Sequence, residues 1–145
     1  MEFRAYSPGD YEGCRDAILS HSRQGERLEE FRDFVEAGSS LFVLEHEGQI
    51  AGCGGYRLEP PDSARLGWIT VRADLLGNGL GRFLVFGLLR KLTQASPVRS
   101  VTVECSRAVA PFFEKQGFHR AGEEGGEVRL VKKMEVCGST APGRP

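Results

Sequence analysis

The chain has 145 residues, 40% hydrophobic and 27% charged, with a formal net charge of −1. That is enough for one domain with its own core, and the even charge balance excludes a general nucleic-acid binder, which carries a basic excess. No apolar run approaches the roughly 20 residues of a membrane span, and the opening Met1-Glu-Phe-Arg-Ala-Tyr holds no apolar signal core, so a cytoplasmic protein with no membrane partner is the expectation.

In chain order, Phe3 to Tyr6 alternates as a short strand. Ser7-Pro8-Gly9-Asp10 is a turn, and Asp10 caps a helix to about Ser20 that places Tyr11, Cys14 and Ile18 on one face. Residues 27–37 repeat the helical pattern with Leu28, Phe31, Phe34 and Val35 as a core stripe, and Gly38 follows as a C-cap. The acids of that helix, Glu29, Glu30, Asp33 and Glu36, read as a solvated face. Residues 41–45 and 49–58 read as strands joined across Glu47-Gly48, a hairpin signal. After the Pro60-Pro61 loop, residues 64–71 form a strand and residues 79–95 the longest helix, with Leu80, Leu84, Leu88 and Leu92 as its stripe. Ser96-Pro97 stops it. A strand at 100–105, a short helix at 108–116 closed by Gly117, and a strand pair at 118–121 and 127–136 complete the order. The tail 138–145 is expected to be flexible. The pattern β-α-α-β-β-β-α-β-α-β-β predicts an α+β domain over residues 1–137, with a mostly antiparallel twisted sheet, one central β-α-β crossover and flanking helices.

The most informative stretch runs from Ile69 to Leu84. The β-branched run Ile69-Thr70-Val71 leads into Gly77, Gly79 and Gly81, and a helix begins inside that cluster. Glycine in a helix interior costs about 1 kcal/mol relative to alanine. Close approach of an anion to bare backbone N–H groups at a helix N-terminus offsets such a cost, although a tight strand-to-helix turn alone would need no ligand. The dinucleotide fingerprint Gly-x-Gly-x-x-Gly fails at its last position from each start: Arg82, Leu84 and Arg57 stand where glycine is required. This counts against a nucleotide-dependent oxidoreductase. No Gly-Lys-Ser/Thr triplet exists for a P-loop.

Ile69-Thr-Val, four residues, then Leu76-Gly-Asn-Gly-Leu-Gly-Arg resembles the acetyl-CoA signature Arg/Gln-x-x-Gly-x-Gly/Ala of the GNAT acyltransferase superfamily. Ala110-Pro-Phe-Phe-Glu-Lys-Gln-Gly-Phe118 resembles that family's Tyr-Glu-Lys-x-Gly-Phe helix and turn. The order of elements also matches, so the resemblance covers nearly the whole chain. It implies the GNAT acyl-CoA N-acyltransferase fold and acetyl-CoA as acyl donor. The pantetheine arm would pair with the backbone of Ile69, Thr70 and Val71 as an added strand does. The pyrophosphate would lie on the N–H groups of Gly77, Asn78, Gly79, Leu80, Gly81 and Arg82, with Gly79 and Gly81 clearing its approach and Arg82 adding charge. Two positions depart from the family pattern. Leu76 stands for the usual Arg or Gln, which leaves phosphate binding to the backbone. Phe113 stands for a tyrosine that donates a proton to the departing thiolate, so water would have to serve instead. Ser106 lies near the family's cofactor-contacting asparagine.

Acyl transfer needs a neutral amine, hence a base or a water wire. In the strand Val101-Thr-Val-Glu-Cys, alternation places Val101, Val103 and Cys105 on one face and Thr102 and Glu104 on the other. Glu104 is the candidate base; its alternative is a solvated rim position paired with Arg99 or Arg107. Cys14, Cys53, Cys105 and Cys137 are widely spaced and read as reduced thiols, Cys105 as a small hydrophobe. His21, His46 and His119 form no ligand pair and read as surface residues, so no metal is expected. The resemblance implies an N-acetyltransferase working by direct transfer in a ternary complex, and Leu76 and Phe113 suggest as runner-up a weak or inactive acyl-CoA-binding module. Gly52-Cys-Gly-Gly-Tyr, Ala64-Arg-Leu and Pro111-Phe-Phe-Glu-Lys are similar to members acting on small amino-acid-like amines. A homodimer is common for such folds.

Overall fold

A computed structural model describes residues 1–21, 28–37 and 40–134. The elements are β1 (Glu2–Ala5), α1 (Tyr11–Leu19), α2 (Leu28–Glu36), β2 (Ser40–His46), β3 (Gln49–Glu59), β4 (Ser63–Val71), α3 (Leu80–Ala95), β5 (Ser100–Ser106), α4 (Ala110–Lys115), β6 (His119–Glu124) and β7 (Glu127–Lys133). Short 3-10 turns at Pro8–Asp10 and Ala73–Leu75 precede α1 and α3. The order and type of elements are those the sequence predicts. Arg27, Gly38, Val136, Cys137 and the tail lie outside the described residues.

The strands form one seven-stranded sheet in the order β1-β2-β3-β4-β5-β7-β6, in which β1–β2, β2–β3, β5–β7 and β6–β7 are antiparallel and β4–β5 is parallel. The parallel pair follows from the α3 crossover, because parallel neighbours need a long connection. It is short: Ser63, Ala64 and Arg65 pair with Ser100, Val101 and Thr102, whereas β5 pairs with β7 over its whole length to Ser106.

The chain divides into two compact units, residues 1–56 with 68–90, and residues 57–67 with those after 90. In the first, Cys14, Ile18, Phe31, Phe34, Leu41, Val43 and Cys53 form one buried cluster. Phe31 and Phe34 are core residues, as their helical spacing implies, and Glu29, Glu30, Asp33 and Glu36 face solvent. Leu80, Leu84, Leu88 and Leu92 are all buried along α3. The β2–β3 hairpin turns at Glu47 and Gly48, with φ of 53° and 79°, the two positive values that the tightest hairpin turn demands. Gly52 and Gly55, which fit no phosphate motif, have a packing reason. A Cβ on Gly52 would lie 2.5 Å from the Thr70 carbonyl oxygen, and one on Gly55 would lie 2.4 Å from that of Ser40 and 2.9 Å from the Phe34 ring. In the second unit the Phe113 ring stands edge-on to Phe112 at 5.0 Å and to Phe118 at 5.5 Å.

The expected cap at Asp10 takes a different form. Asp10 makes no side-chain bond into α1. Its carboxylate accepts backwards, from the Ser7 N–H at 2.8 Å and from both Arg4 guanidinium ends at 2.8 and 3.0 Å. Arg4 sits on β1, so the helix start is tied to the sheet through charge and not through the helix's own amides.

Candidate functional site

The first unit carries the glycine loop. Val71 ends β4, the Ala73–Leu75 turn follows, and Asn78 Nδ2 donates to the Leu75 carbonyl at 3.1 Å, which stiffens the approach to α3. Gly77 and Gly79 have φ of 86° and 78°, a left-handed conformation that is costly for any residue with a Cβ. A Cβ at either would meet nothing within 4 Å. These two glycines are therefore fixed by backbone conformation in an open space, while Gly81 lies within α3 with no positive φ. The Phe83 N–H donates to the Gly79 carbonyl at 3.1 Å. Gly79 thus occupies the N-cap, and the N–H groups of Leu80, Gly81 and Arg82 precede the first intrahelical bond. Glycine brings no side-chain cap. Leu76, Gly77, Asn78, Gly79 and Arg82 are exposed, so the loop offers unpartnered donors at the positive end of a 16-residue helix. That arrangement fits a phosphate-bearing ligand.

The strand before the loop is irregular at Trp68, whose φ is 57°, uncommon for a bulky residue. Its ring packs edge-on to Phe31 at 5.3 Å, and Cys53 Sγ donates to its carbonyl at 3.6 Å. Beyond it, the Arg72 N–H donates to the Ala51 carbonyl on β3 at 2.8 Å. In a trans peptide the Val71 carbonyl then points away from β3. It accepts a bond from His21 Nε2 at 2.7 Å. His21 is half-buried and not the plain surface residue its isolation suggests. No sequence signal marks it, because it forms no motif and its partner lies 50 residues away.

In the second unit Glu104 lies on the face of β5 that alternation predicts, with Val101 and Val103 buried and Glu104 exposed. Its neighbour is neither Arg99 nor Arg107. Arg65, on β4, reaches Glu104 Oε2 at 3.3 Å and Glu59 Oε2 at 3.0 Å, while Arg99 pairs with Asp62 and Arg107 with Glu123. The parallel β4–β5 register explains the partner, since Arg65 stands opposite Thr102. Glu104 borders a cavity of about 400 Å³ with Glu123, Glu124, Glu127 and Arg129. Ser106 ends β5 and is exposed. Phe113 is only 3% exposed and packs among the aromatic rings of Phe112 and Phe118. Burial, with Glu127 beside it, raises the Cys105 thiol above its usual range, which keeps it a poor nucleophile. A hydrogen bond with the neighbouring Cys14 thiol, together with burial, raises Cys53 well above that range too. Cys14, Cys53 and Cys105 are free thiols, and no metal-binding group occurs among the described residues.

A sequence profile for the acetyltransferase (GNAT) domain matches residues 9–131. Among solved structures, the ribosomal-protein-S18-alanine N-acetyltransferase of Escherichia coli is 18% identical with a TM-score of 0.77, over 92% of this chain and 94% of that one. The ribosomal-protein-alanine N-acetyltransferase of Brucella melitensis is 20% identical with a TM-score of 0.68, over 92% and 100%. The N-acetylglutamate synthase of Neisseria gonorrhoeae, complexed with coenzyme A and L-arginine, is 16% identical with a TM-score of 0.70, over 92% of this chain and 33% of that one.

Proposed function

Because the chain belongs to the GNAT acetyltransferase family, an acyltransferase family, we propose that it transfers the acetyl group of acetyl-CoA to the primary amine of a small amino-acid-like molecule. Transfer is direct, with both substrates bound together. The observation that carries this reading is the loop before α3. Gly77 and Gly79 hold a left-handed backbone with nothing within 4 Å of their Cβ positions, and the amides of Leu80, Gly81 and Arg82 precede the first helical bond.

When bound, acetyl-CoA supplies an acetyl group activated as a thioester. The residues of the chain hold and orient it. The amides from Gly77 to Arg82 take the pyrophosphate, and the Arg82 guanidinium adds charge. Leu76 adds none, so backbone donors carry that contact. The edge of β4 at Ile69, Thr70 and Val71 pairs with the pantetheine amides. Ser106 contacts the cofactor from the end of β5. Glu104 takes the proton from the attacking amine, directly or through water, and Arg65 holds its carboxylate in place. Phe113 has no proton to give, so water protonates the departing thiolate.

Calorimetric titration of the purified chain with acetyl-CoA, beside CoA and NADH, tests the cofactor. Saturable acetyl-CoA binding that Gly79→Asp abolishes is expected, since an aspartate would put both a strained φ and a negative charge at the phosphate. An absence of acetyl-CoA and CoA binding would sink the reading. A panel of small amines follows, with Glu104→Gln expected to lower kcat on the order of 10²-fold at unchanged acetyl-CoA affinity. Binding without turnover on any amine would favour a non-catalytic acyl-CoA module.

A further inference from the structure

We propose that His21, at the C-terminal end of α1, is a positioning residue that sets how the donor substrate lies along β4. The inference rests on the acetyl-CoA reading above. Only an acceptor is available on the Val71 carbonyl, so His21 must donate from Nε2 across its 2.7 Å contact. Next to it, Ser20 Oγ donates to the Ala17 carbonyl at 2.6 Å and accepts from the Ala73 N–H at 2.9 Å. The helix end therefore grips the backbone on both sides of Arg72, which is itself tied to Ala51 on β3.

The direction of these bonds gives the contact its meaning. Because the Arg72 N–H faces β3, the Val71 carbonyl faces the other edge of the strand, and an extended residue presents its own N–H on the same side as its carbonyl. His21 thus bonds the acceptor of Val71, while the Val71 N–H faces the same edge. With the His21 ring 2.7 Å from the Val71 oxygen, an amide chain pairing along this edge is obstructed at Val71 and does not slide one repeat further toward the glycine loop. Without His21 the carbonyl is an open acceptor, and the ligand ladder has a second register. A strand repeat is about 6.8 Å, far more than the ~1 Å misplacement that already costs about 10²-fold in rate.

The test uses the full chain, with acetyl-CoA binding by calorimetry, turnover on the best amine, and Tm measured together. His21→Ala is expected to lower kcat about fivefold and to tighten acetyl-CoA binding by about the same factor, because the hydrogen bond that the freed Val71 carbonyl offers holds the donor in the second, unproductive register. His21→Gln, which keeps a donor, is expected to restore both to within about twofold. Ser20→Ala, a milder change, is expected to lower kcat and tighten acetyl-CoA binding about threefold, and it decides the matter if His21→Ala does not fold. Unchanged or weaker binding in His21→Ala, tighter binding with unchanged kcat, a fall in Tm alone, or a His21→Gln variant as altered as His21→Ala would overturn the inference while acetyl-CoA binding by the wild type stands. A wild type that binds no acetyl-CoA would overturn both.

Discussion

At the scale of single residues, charge is placed where geometry can use it. Asp10 is 8% exposed and is held by a two-pronged contact from Arg4 plus the Ser7 amide. Bidentate guanidinium–carboxylate pairs are among the stronger charge-assisted hydrogen bonds. Asp10→Asn keeps the shape and loses the charge, and it is expected to destabilise the fold by about 2 kcal/mol at neutral pH. The Arg4 contact, with the Ser7 amide, lowers the Asp10 carboxyl below its ordinary range against the opposing effect of burial. A folded-state value below the unfolded one, near 3.9, stabilises the fold at pH above it, and that stabilisation disappears as pH falls through the folded value. Urea denaturation at pH 7, 5 and 3 should therefore show the gap between wild type and Asp10→Asn shrinking only below about pH 4; a gap that persists at pH 3 would assign it to packing. Glu104 and Arg65 are the counterpart in the second unit. Their contact is half-open to solvent, and it serves to aim a carboxylate more than to stabilise the fold.

At the scale of elements, the glycines divide into two kinds. Gly77 and Gly79 have positive φ and open space, whereas Gly52 has ordinary φ and no room. Gly79→Ala is accordingly expected to cost about 1–2 kcal/mol, the strain of a Cβ in the left-handed region. Gly52→Ala should cost at least as much, about 1–3 kcal/mol, because the atom in the way is the Thr70 backbone carbonyl, which cannot turn aside. It should also shift the Ile69–Val71 edge, so acetyl-CoA affinity falls as well. Paired urea denaturation and calorimetry on the two variants would check this; equal affinity in Gly52→Ala and wild type would mean that the edge is not where the donor pairs. The sequence made the first kind of glycine legible, because the cluster sits at a strand-to-helix step. It hid the second kind, since a close approach between Gly52 and Thr70 spans 18 residues of chain and leaves no local pattern. The same reason hid Arg65 as the partner of Glu104 and His21 as the partner of Val71. Periodicity reports which face a residue occupies and is silent about what faces it. Strand and helix boundaries, which depend on local pattern alone, were readable to within a few residues.

At the scale of the whole chain, the family profile runs from residue 9 to 131 and so through both compact units. A ligand that binds only the folded chain stabilises it by RT ln(1 + [L]/Kd), about 2.7 kcal/mol at a hundredfold excess over Kd. For a chain of 145 residues that corresponds to a rise in Tm on the order of 10 °C. The rise separates the two halves of the donor's chemistry. If the glycine loop supplies most of the binding, CoA and acetyl-CoA should raise Tm by similar amounts, 3′-phosphoadenosine diphosphate should give a substantial part of the rise, and Gly79→Asp should remove it for all three. If the β4 edge supplies most, acetyl-pantetheine should stabilise the chain nearly as well as acetyl-CoA, and Gly79→Asp should spare that effect. The exposed, donor-rich loop and the exposed Arg82 beside it favour the first outcome with a strong dependence on salt, because a helix end and a surface guanidinium hold an anion through a field that screening weakens. Thermal scans at low and high salt therefore test the phosphate loop without any turnover assay, and a shift indifferent to both salt and Gly79→Asp would move the donor's main contacts away from that loop.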